Sequence, residues 1–207
     1  MERYITVLGE NEAEYTEKRS RFIATVRHCD TEKEALSFLE EMRSKYWDAR
    51  HNVYAYSVNG TNRFSDDGEP HGTAGKPMLD VILGEGIENL AVVVTRYFGG
   101  VLLGTGGLVR AYTKATKDAL SSAQKGEVIP CTLLQTQCEY TDHQRLLNLI
   151  ESCGGMVEGS DFTQNVTVRY SFKDQDSERF LKKLSETFSA RLSAEEICKK
   201  SSIFKIN

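Results

Sequence analysis

The sequence predicts a two-domain α+β protein, and three observations support this. The chain has 207 residues, of which 40% are hydrophobic and 27% are charged, so it can bury a substantial core and is not disordered. A glycine and a proline within residues 126–130 predict a hinge between domains covering residues 1–127 and 131–207. After this hinge the elements follow the order β-α-β-β-α-β, which is typical of a ferredoxin-like sandwich.

In the first domain, a capping box predicts where the first helix begins. Thr31 is followed three residues later by Glu34, so we expect a helix from there to about Tyr46. Its apolar stripe comprises Ala35, Leu36, Phe38, Leu39 and Met42. Strands are predicted at Arg21–His28, Val53–Val58 and Leu90–Tyr97, and a second long helix at Gly107–Ala123. The unbroken apolar run in the last of these strands indicates burial on both faces.

The second domain has more regular elements. Strands are predicted at Leu133–Tyr140, Met156–Phe162 and Val166–Phe172, with a last strand within residues 191–204. Asp142 is expected to cap a helix that ends at the glycine pair 154–155. A second helix, Ser177–Phe188, places Phe180, Leu181, Leu184 and Phe188 on one face.

Composition excludes several classes of protein. The formal net charge of −4, from 26 basic and 30 acidic residues, excludes a strongly basic protein that coats DNA, without excluding a local basic patch. The longest apolar run is too short to span a membrane, and the first residues lack a signal pattern, so we expect a cytoplasmic protein. The five cysteines show no metal or redox spacing and are expected to be buried, reduced thiols.

The first informative loop, residues 65–77, carries three acidic residues within four positions. Asp66, Asp67 and Glu69 repel one another unless water, a metal or basic groups offset their charge. One interpretation is a solvated turn followed by a helix with Thr73 as its N-cap. A second is an oxygen-rich magnesium or calcium site near His51 or His71. A third is a recognition surface on which a helix start at residues 72–76 receives a phosphate. The spacing around Lys76 excludes a nucleotide P-loop.

The second informative loop, residues 95–112, has five glycines between positions 99 and 107. The glycines would let a ligand approach the backbone closely, while Arg96 and Arg110 would neutralise an anion there. Tyr97, Phe98 and Tyr112 would offer rings on which single-stranded bases stack. The alternative is a tight turn packed with core aromatic residues. A dinucleotide fingerprint is absent.

No convincing nucleophile is present. Ser65, His71 and a neighbouring aspartate lie too close along one loop for a catalytic triad, and the chain has no nucleophile elbow. His51 is better explained as a structural hydrogen-bonding residue. A hydrolase therefore remains only an alternative, and we name no catalytic residue and expect no cofactor.

Together, the two loops resemble those of the IMPACT family, also called the YigZ family. The matching segments lie within residues 15–123 and comprise Arg50-His51, Tyr54–Tyr56, Asp66–Pro70, Gly72–Pro77, Val92–Gly100 and Gly104–Tyr112. The resemblance implies a βαβ fold of the ribosomal-protein type for the first domain and a ferredoxin-like second domain similar to the last domain of elongation factor G. Eukaryotic relatives regulate translation by binding an activator of a stress kinase. For this chain the resemblance implies only a general theme of ribosome or RNA contact.

The resulting hypothesis is a non-catalytic protein that binds RNA or the ribosome at a polar cleft of its first domain. The candidate binding residues are Arg50, His51, Asp66, Asp67, Glu69, Thr73, Lys76, Arg96, Tyr97, Phe98, Gly99, Gly100, Gly104, Gly106, Gly107, Arg110 and Tyr112. A metal-assisted hydrolase using Asp66, Asp67, Glu69 and His71 is the main alternative. A module that binds only a protein partner is a third.

Overall fold

The computed structural model describes residues 3–205, in which the chain forms ten strands and five helices. The chain divides into two compact units, residues 4–127 and 128–203. The predicted two-domain α+β architecture is confirmed.

The first unit is built on an antiparallel five-stranded sheet. Its elements are β1 (Tyr4–Val7), β2 (Glu10–Glu17), β3 (Ser20–His28), α1 (Glu32–Lys45), β4 (His51–Val58), β5 (Thr61–Ser65), α2 (Gly75–Glu85), β6 (Leu90–Tyr97) and α3 (Gly104–Ser122). The strand order is β2-β3-β6-β4-β5. Because β3 and β4 are both antiparallel to β6, they run in the same direction, and α1 connects them as a βαβ unit.

Helices cover both faces of this sheet. On one face, α1 buries Phe38 and Met42 in a core that includes Val93 of β6. On the other, α2 and α3 enclose a larger core that includes Val92 and Val94 of the same strand. The predicted burial of both faces of β6 is therefore confirmed.

The first helix begins where the capping box places it. The Thr31 side chain accepts a hydrogen bond from the Glu34 backbone N–H at 3.2 Å. The Glu34 carboxylate in turn accepts from the N–H of Asp30 at 2.9 Å, one residue earlier than in the usual capping box. The predicted stripe is buried except for Leu36, which is exposed.

Strand β2 was not predicted, because half of its eight residues are glutamates. Its alternate residues face opposite ways. Asn11, Ala13 and Tyr15 lie towards α3, where the Asn11 side chain donates to the Ala119 carbonyl at 3.0 Å. The opposite face carries a row of ion pairs formed by Glu10 with Arg27, Glu12 with Lys45 and Glu14 with Arg21.

Two tight hairpins shape the edges of the sheet. Asn59-Gly60 joins β4 to β5, and both residues have positive φ. An Asn-Gly pair is the strongest short hairpin signal in a sequence, so this dipeptide could have indicated β5. Lys18-Arg19 joins β2 to β3 with φ of 45° and 68°. Neither residue type favours the left-handed region, so the sequence gives no local signal for this second hairpin.

The second unit has the sheet order expected of a ferredoxin-like sandwich. Its elements are β7 (Lys125–Cys138), α4 (Tyr140–Ser152), β8 (Met156–Phe162), β9 (Val166–Lys173), α5 (Asp174–Thr187) and β10 (Glu195–Lys205). β10 pairs with β7, and the order continues through β9 to β8. Phe172, Phe180 and Phe188 occupy the core beneath α4 and α5.

Three local predictions for this part of the chain are wrong. The segment 126–130, expected to be a loop-like hinge, is continuous strand within β7, although the boundary between the two units does fall there, between residues 127 and 128. Asp142 lies in the first turn of α4 and pairs with Arg191, while Glu139 is the N-cap. The fifth cysteine, Cys198, is exposed, whereas the other four are buried as expected.

The end of α4 is confirmed. Gly154 has φ of +83°, and the N–H of Gly155 donates to the carbonyl of Ile150 at 2.9 Å, as in a Schellman motif. Within residues 3–205, every helix is too short or too polar to cross a membrane.

Candidate functional site

Both loops identified in the sequence leave the first unit's sheet at the same end. In the antiparallel register, Tyr97 at the end of β6 lies opposite Arg21 of β3, and Arg96 lies opposite His51 of β4. The end of β5, at Ser65, lies opposite Tyr54 near the start of β4. The acidic loop after β5 and the glycine-rich loop after β6 therefore begin side by side.

Asp66 caps the start of α2. Its carboxylate accepts hydrogen bonds from the backbone N–H groups of Gly72, Ala74 and Gly75 at 2.8, 3.1 and 2.9 Å. These are the amides expected to receive a phosphate at the start of α2, and in the structure the Asp66 carboxylate occupies them. A helix start already satisfied by an internal carboxylate has little capacity for an external anion.

The other residues expected at this helix start have different partners. Thr73 is not the N-cap; its hydroxyl donates to the Pro70 carbonyl at 2.6 Å, and Ala74 is the cap. Lys76 is exposed and pairs with Asp80 one turn further along α2. Gly75 is required by packing, since a Cβ there would lie 2.6 Å from the Ser65 carbonyl oxygen.

Asp67 fastens the acidic loop to the start of β4. Its carboxylate accepts from the Asn52 backbone N–H at 2.6 Å, and its carbonyl oxygen lies 2.7 Å from Nδ1 of His51. His51 thus makes a structural hydrogen bond of the kind expected for it.

The third acidic residue, Glu69, forms a buried ion pair with Arg96. The Glu69 Oε1 atom lies 2.6 Å from Arg96 Nη1, with side-chain exposures of 3% and 7%. Tyr112 of α3 donates its hydroxyl to the same oxygen at 2.8 Å. Burial, followed by the charge of Glu69, raises the pKa of Tyr112 above its ordinary value. The three side chains connect the acidic loop, β6 and α3.

This network gives Arg96 and Tyr112 roles other than those expected from the sequence. The Arg96 guanidinium is enclosed by Glu69 and by the rings of Phe22 and Phe98, at 5.5 and 5.7 Å. It is not placed to meet a phosphate. The Tyr112 ring is fully buried and packs edge-on against Phe22, with centroids 5.2 Å apart, so it offers no face to a base.

The acidic loop does not provide the ligand set that the metal-assisted hydrolase requires. The carboxylates of Asp66, Asp67 and Glu69 point to separate partners, and the fully exposed His71 side chain lies 3.7 Å from Asp66. Within residues 3–205, no three His, Cys, Asp or Glu side chains are grouped so that they could hold a metal ion.

The glycine-rich loop makes one tight packing contact and leads into a helix whose first backbone N–H groups receive no capping bond from the N-cap side chain. A Cβ on Gly99 would lie 2.0 Å from the Arg19 carbonyl carbon, so only glycine fits where this loop crosses the β2–β3 hairpin. Gly100 and Gly104 have positive φ. α3 begins at Gly104, three residues earlier than predicted, and its N-cap Leu103 makes no side-chain capping bond.

Cationic side chains surround this helix start. A Cβ on Gly106 would lie 3.6 Å from Nη1 of Arg110, so that guanidinium folds back beside the first turn of α3. Lys18 and Arg110 line one cavity of about 210 Å³, and Arg19 adjoins Lys18 in the hairpin. None of these three forms an ion pair with any residue in the described range 3–205. We call Lys18, Arg19, Arg110 and the start of α3 the cationic surface. The cavity is lined by Tyr15, Glu17, Lys18, Leu103, Gly107, Arg110, Ala111 and Lys114.

The remaining predicted site residues lie at the same end of the sheet. Phe98 is half exposed. Tyr97 is partly buried and donates its hydroxyl to Asp48 at 2.8 Å. Arg50 is exposed. Gly107 packs against Leu103, whose Cβ would lie 3.0 Å from an added Cβ.

Comparison with known proteins identifies the family. The model of the Impact N-terminal domain matches residues 18–120, and a domain of unknown function matches residues 136–191. The IMPACT family member YigZ of Escherichia coli is 38% identical over 174 residues, covering 82% of this chain and 85% of that protein. This chain belongs to the IMPACT family.

Other IMPACT family members match over different lengths. YvyE of Bacillus subtilis is 31% identical over 93% of this chain and 90% of its own length. Protein IMPACT of the rat is 36% identical over 44% of this chain and 31% of its own length. A solved structure described as a hypothetical protein is 33% identical, covers 100% of this chain and 98% of that one, and has a TM-score of 0.63.

Proposed function

We propose that this IMPACT family protein binds RNA, in a ribosomal or translational setting, through the cationic surface, and performs no covalent chemistry. The observation that carries the proposal is the open start of α3, whose amides lack a side-chain cap and lie beside Arg110. Uncapped helix amides with neighbouring cations favour a phosphate ligand.

The β2–β3 hairpin adds a second line of support. Lys18 and Arg19 both adopt left-handed backbone conformations, which cost about 1 kcal/mol or more for each residue that is not glycine. Asparagine or glycine would relieve this strain. The presence of two cations at these strained positions supports a function for their charge.

The network of Glu69, Arg96 and Tyr112 has a supporting role in this proposal. It connects the acidic loop to β6 and to the third turn of α3, and so fixes the helix whose first turn would receive the phosphate. Asp66 and Asp67 hold the acidic loop by internal hydrogen bonds. In this arrangement the acidic residues orient the scaffold and do not contact RNA.

Salt-dependent RNA binding tests the proposal. For the full chain and a fluorescently labelled single-stranded RNA, we expect affinity to fall with salt between about 50 and about 200 mM, with a log–log slope of about −2 for three phosphate contacts. The Arg110→Ala variant should bind more weakly and reduce the size of this slope by about 0.7.

The matched control is Lys33→Ala, which removes an exposed cation from α1 on the opposite face of the sheet. This variant should bind as the unaltered protein does. Equal binding by the Arg110 and Lys33 variants, or binding insensitive to salt, would contradict the proposal.

A protein partner is the second candidate, because apolar side chains are exposed in the same loop. Phe98, Val101 and Leu102 have exposures of 49%, 41% and 82%. Such a patch is typical of a protein interface. Salt-insensitive capture of a protein that Leu102→Ser abolishes, with no RNA binding, would favour this candidate.

A further inference from the structure

The sequence has a single tryptophan, and its side chain is almost fully in water. Trp47 is 81% exposed. Tryptophan is on average a highly buried residue, since its large ring gains most from leaving water. Trp47 contributes to neither core of the first unit.

Hydrogen bonds hold the residues that precede and follow Trp47 in its turn. The Tyr46 carbonyl accepts from the Ala49 N–H at 3.0 Å, and the Tyr46 hydroxyl donates to Glu12 at 2.8 Å. On the other side, Asp48 accepts from the Tyr97 hydroxyl at 2.8 Å. The backbone is thus fixed in place before any ligand arrives, which lowers the entropy cost of binding.

Trp47 lies at the same end of the sheet as the cationic surface. Its turn connects the end of α1 to the start of β4, where His51 pairs with Arg96, and the adjoining end of β6 pairs with the start of β3. Arg50, three residues after Trp47, is exposed and forms no ion pair within residues 3–205. Arg19 precedes the start of β3 and is likewise exposed.

We infer that Trp47 is a stacking platform for an unpaired base, so that the RNA bound by this protein is single-stranded at this point. The inference rests on the proposed RNA binding and adds the class of ligand. A base in a duplex is already stacked, whereas an unpaired base can place its face on an exposed aromatic ring. Unpaired cations on the neighbouring residues favour a phosphate backbone over an apolar protein segment.

Tryptophan fluorescence tests this directly, because every photon of tryptophan emission from this chain comes from Trp47. Titrating the full chain with a short oligouridylate should quench the emission. A duplex of the same length, and inorganic polyphosphate, should leave the emission unchanged although both carry phosphates. In anisotropy measurements with the labelled single strand, Trp47→Ala should weaken binding by about 5-fold to 100-fold.

Two further variants make the affinity result specific. Trp47→Phe should recover most of the lost affinity, since a smaller ring still stacks. Leu36→Ala removes an exposed apolar side chain from α1 and should leave affinity unchanged. The exposure of Trp47 means that its substitution leaves both cores intact, which circular dichroism would verify.

Each outcome separates this inference from the function on which it rests. Salt-dependent RNA binding that is unaffected by Trp47→Ala and causes no quenching would overturn the stacking role and leave the proposed function standing. Equal quenching by single strand and duplex would overturn the single-strand specificity. No RNA binding in the anisotropy assay would overturn both. If a protein ligand quenched the emission and no RNA bound, the ligand of Trp47 would be a protein and the stacking inference would be overturned.

Discussion

At the scale of single residues, the acidic loop shows why a sequence does not reveal which partner each carboxylate contacts. Asp66, Asp67 and Glu69 are close along the chain, yet each accepts hydrogen bonds from a different element. Their partners are backbone amides, one distant arginine and one distant tyrosine, which residue spacing does not encode. The sequence singles out the loop, whereas the direction of each carboxylate, which distinguishes a cap from a metal ligand, is visible only in the structure.

Removing the Asp66 cap should destabilise the first unit. We expect Asp66→Ala to lower the free energy of unfolding by about 2–3 kcal/mol, because three backbone N–H groups at the start of α2 lose a charged acceptor. Urea denaturation at neutral pH measures this. The control Asp80→Ala, which removes an exposed ion pair with Lys76 on the same helix, should cost less than about 1 kcal/mol. Equal effects would argue against the capping role.

Tyr112 should make stability depend on alkaline pH. Burial, then the charge of Glu69, raises its folded-state pKa, so the tyrosine contributes stability that is complete below its unfolded pKa of about 10 and is lost as pH rises further. We expect Tyr112→Phe to lower the free energy of unfolding by about 1–3 kcal/mol at neutral pH, since Glu69 loses a donor. The difference between the two proteins should narrow above pH about 10. If urea denaturation gave the same difference in free energy of unfolding between the unaltered protein and Tyr112→Phe below and above pH about 10, this role of Tyr112 would be contradicted.

At the scale of elements, sequence patterns predict the buried strands and fail at the edges. β3, β4 and β6 carry apolar runs, and the capping box fixes the start of α1. β2 and β5 lie at the two edges of the sheet, where polar residues suffice because one side of each strand has no partner. The Asn59-Gly60 turn could have revealed β5, whereas nothing local identifies the Lys18-Arg19 turn.

The Lys18-Arg19 hairpin should show a trade-off between stability and binding. Replacing Lys18→Asn and Arg19→Gly together supplies residues suited to positive φ, so we expect the free energy of unfolding to rise by about 1–2 kcal/mol. Because two cations are lost, RNA affinity should fall. Thermal unfolding and anisotropy measure the two effects. A more stable protein that binds RNA unchanged would remove the hairpin from the cationic surface.

Glycine positions in the same unit should respond in opposite directions. Gly99→Ala should cost at least about 3 kcal/mol, because its Cβ would overlap the backbone of Arg19. Gly84→Ala, inside α2 with nothing within 4 Å of the added carbon, should raise stability by about 0.4–1 kcal/mol. Chemical denaturation of both variants measures this, and a tolerated Gly99→Ala would mean that the loop can move away from the hairpin.

At the scale of the whole molecule, the order of elements was the most reliable information in the sequence. The β-α-β-β-α-β order in the second half predicts a ferredoxin-like sandwich, and the sheet has the corresponding strand order. The first unit has two cores, one on each face of its sheet, and the second unit has a separate core around β9. Glycine and proline at the start of β7 suggest a loop, although both lie within the strand; the boundary between the two units nevertheless falls at this point.

Separate cores should give separable effects. Phe180 is fully buried in the second unit, so Phe180→Ala should cost about 3–5 kcal/mol there. Amide hydrogen exchange measured by mass spectrometry should show faster exchange in β9 than in the unaltered protein, while exchange in β6 changes little. Equal acceleration in both strands would show that the two units unfold as one.

The glutamates of β2 also have a consequence for how copies of this chain meet. An outer strand with unused main-chain donors and acceptors invites a second molecule to add its own strand, the first step of fibre growth. Three of the four glutamates of β2 are engaged in ion pairs with Arg27, Lys45 and Arg21, so charged side chains line this outer strand. A second copy adding its own strand would have to pack against these charged side chains, which disfavours self-association at this edge.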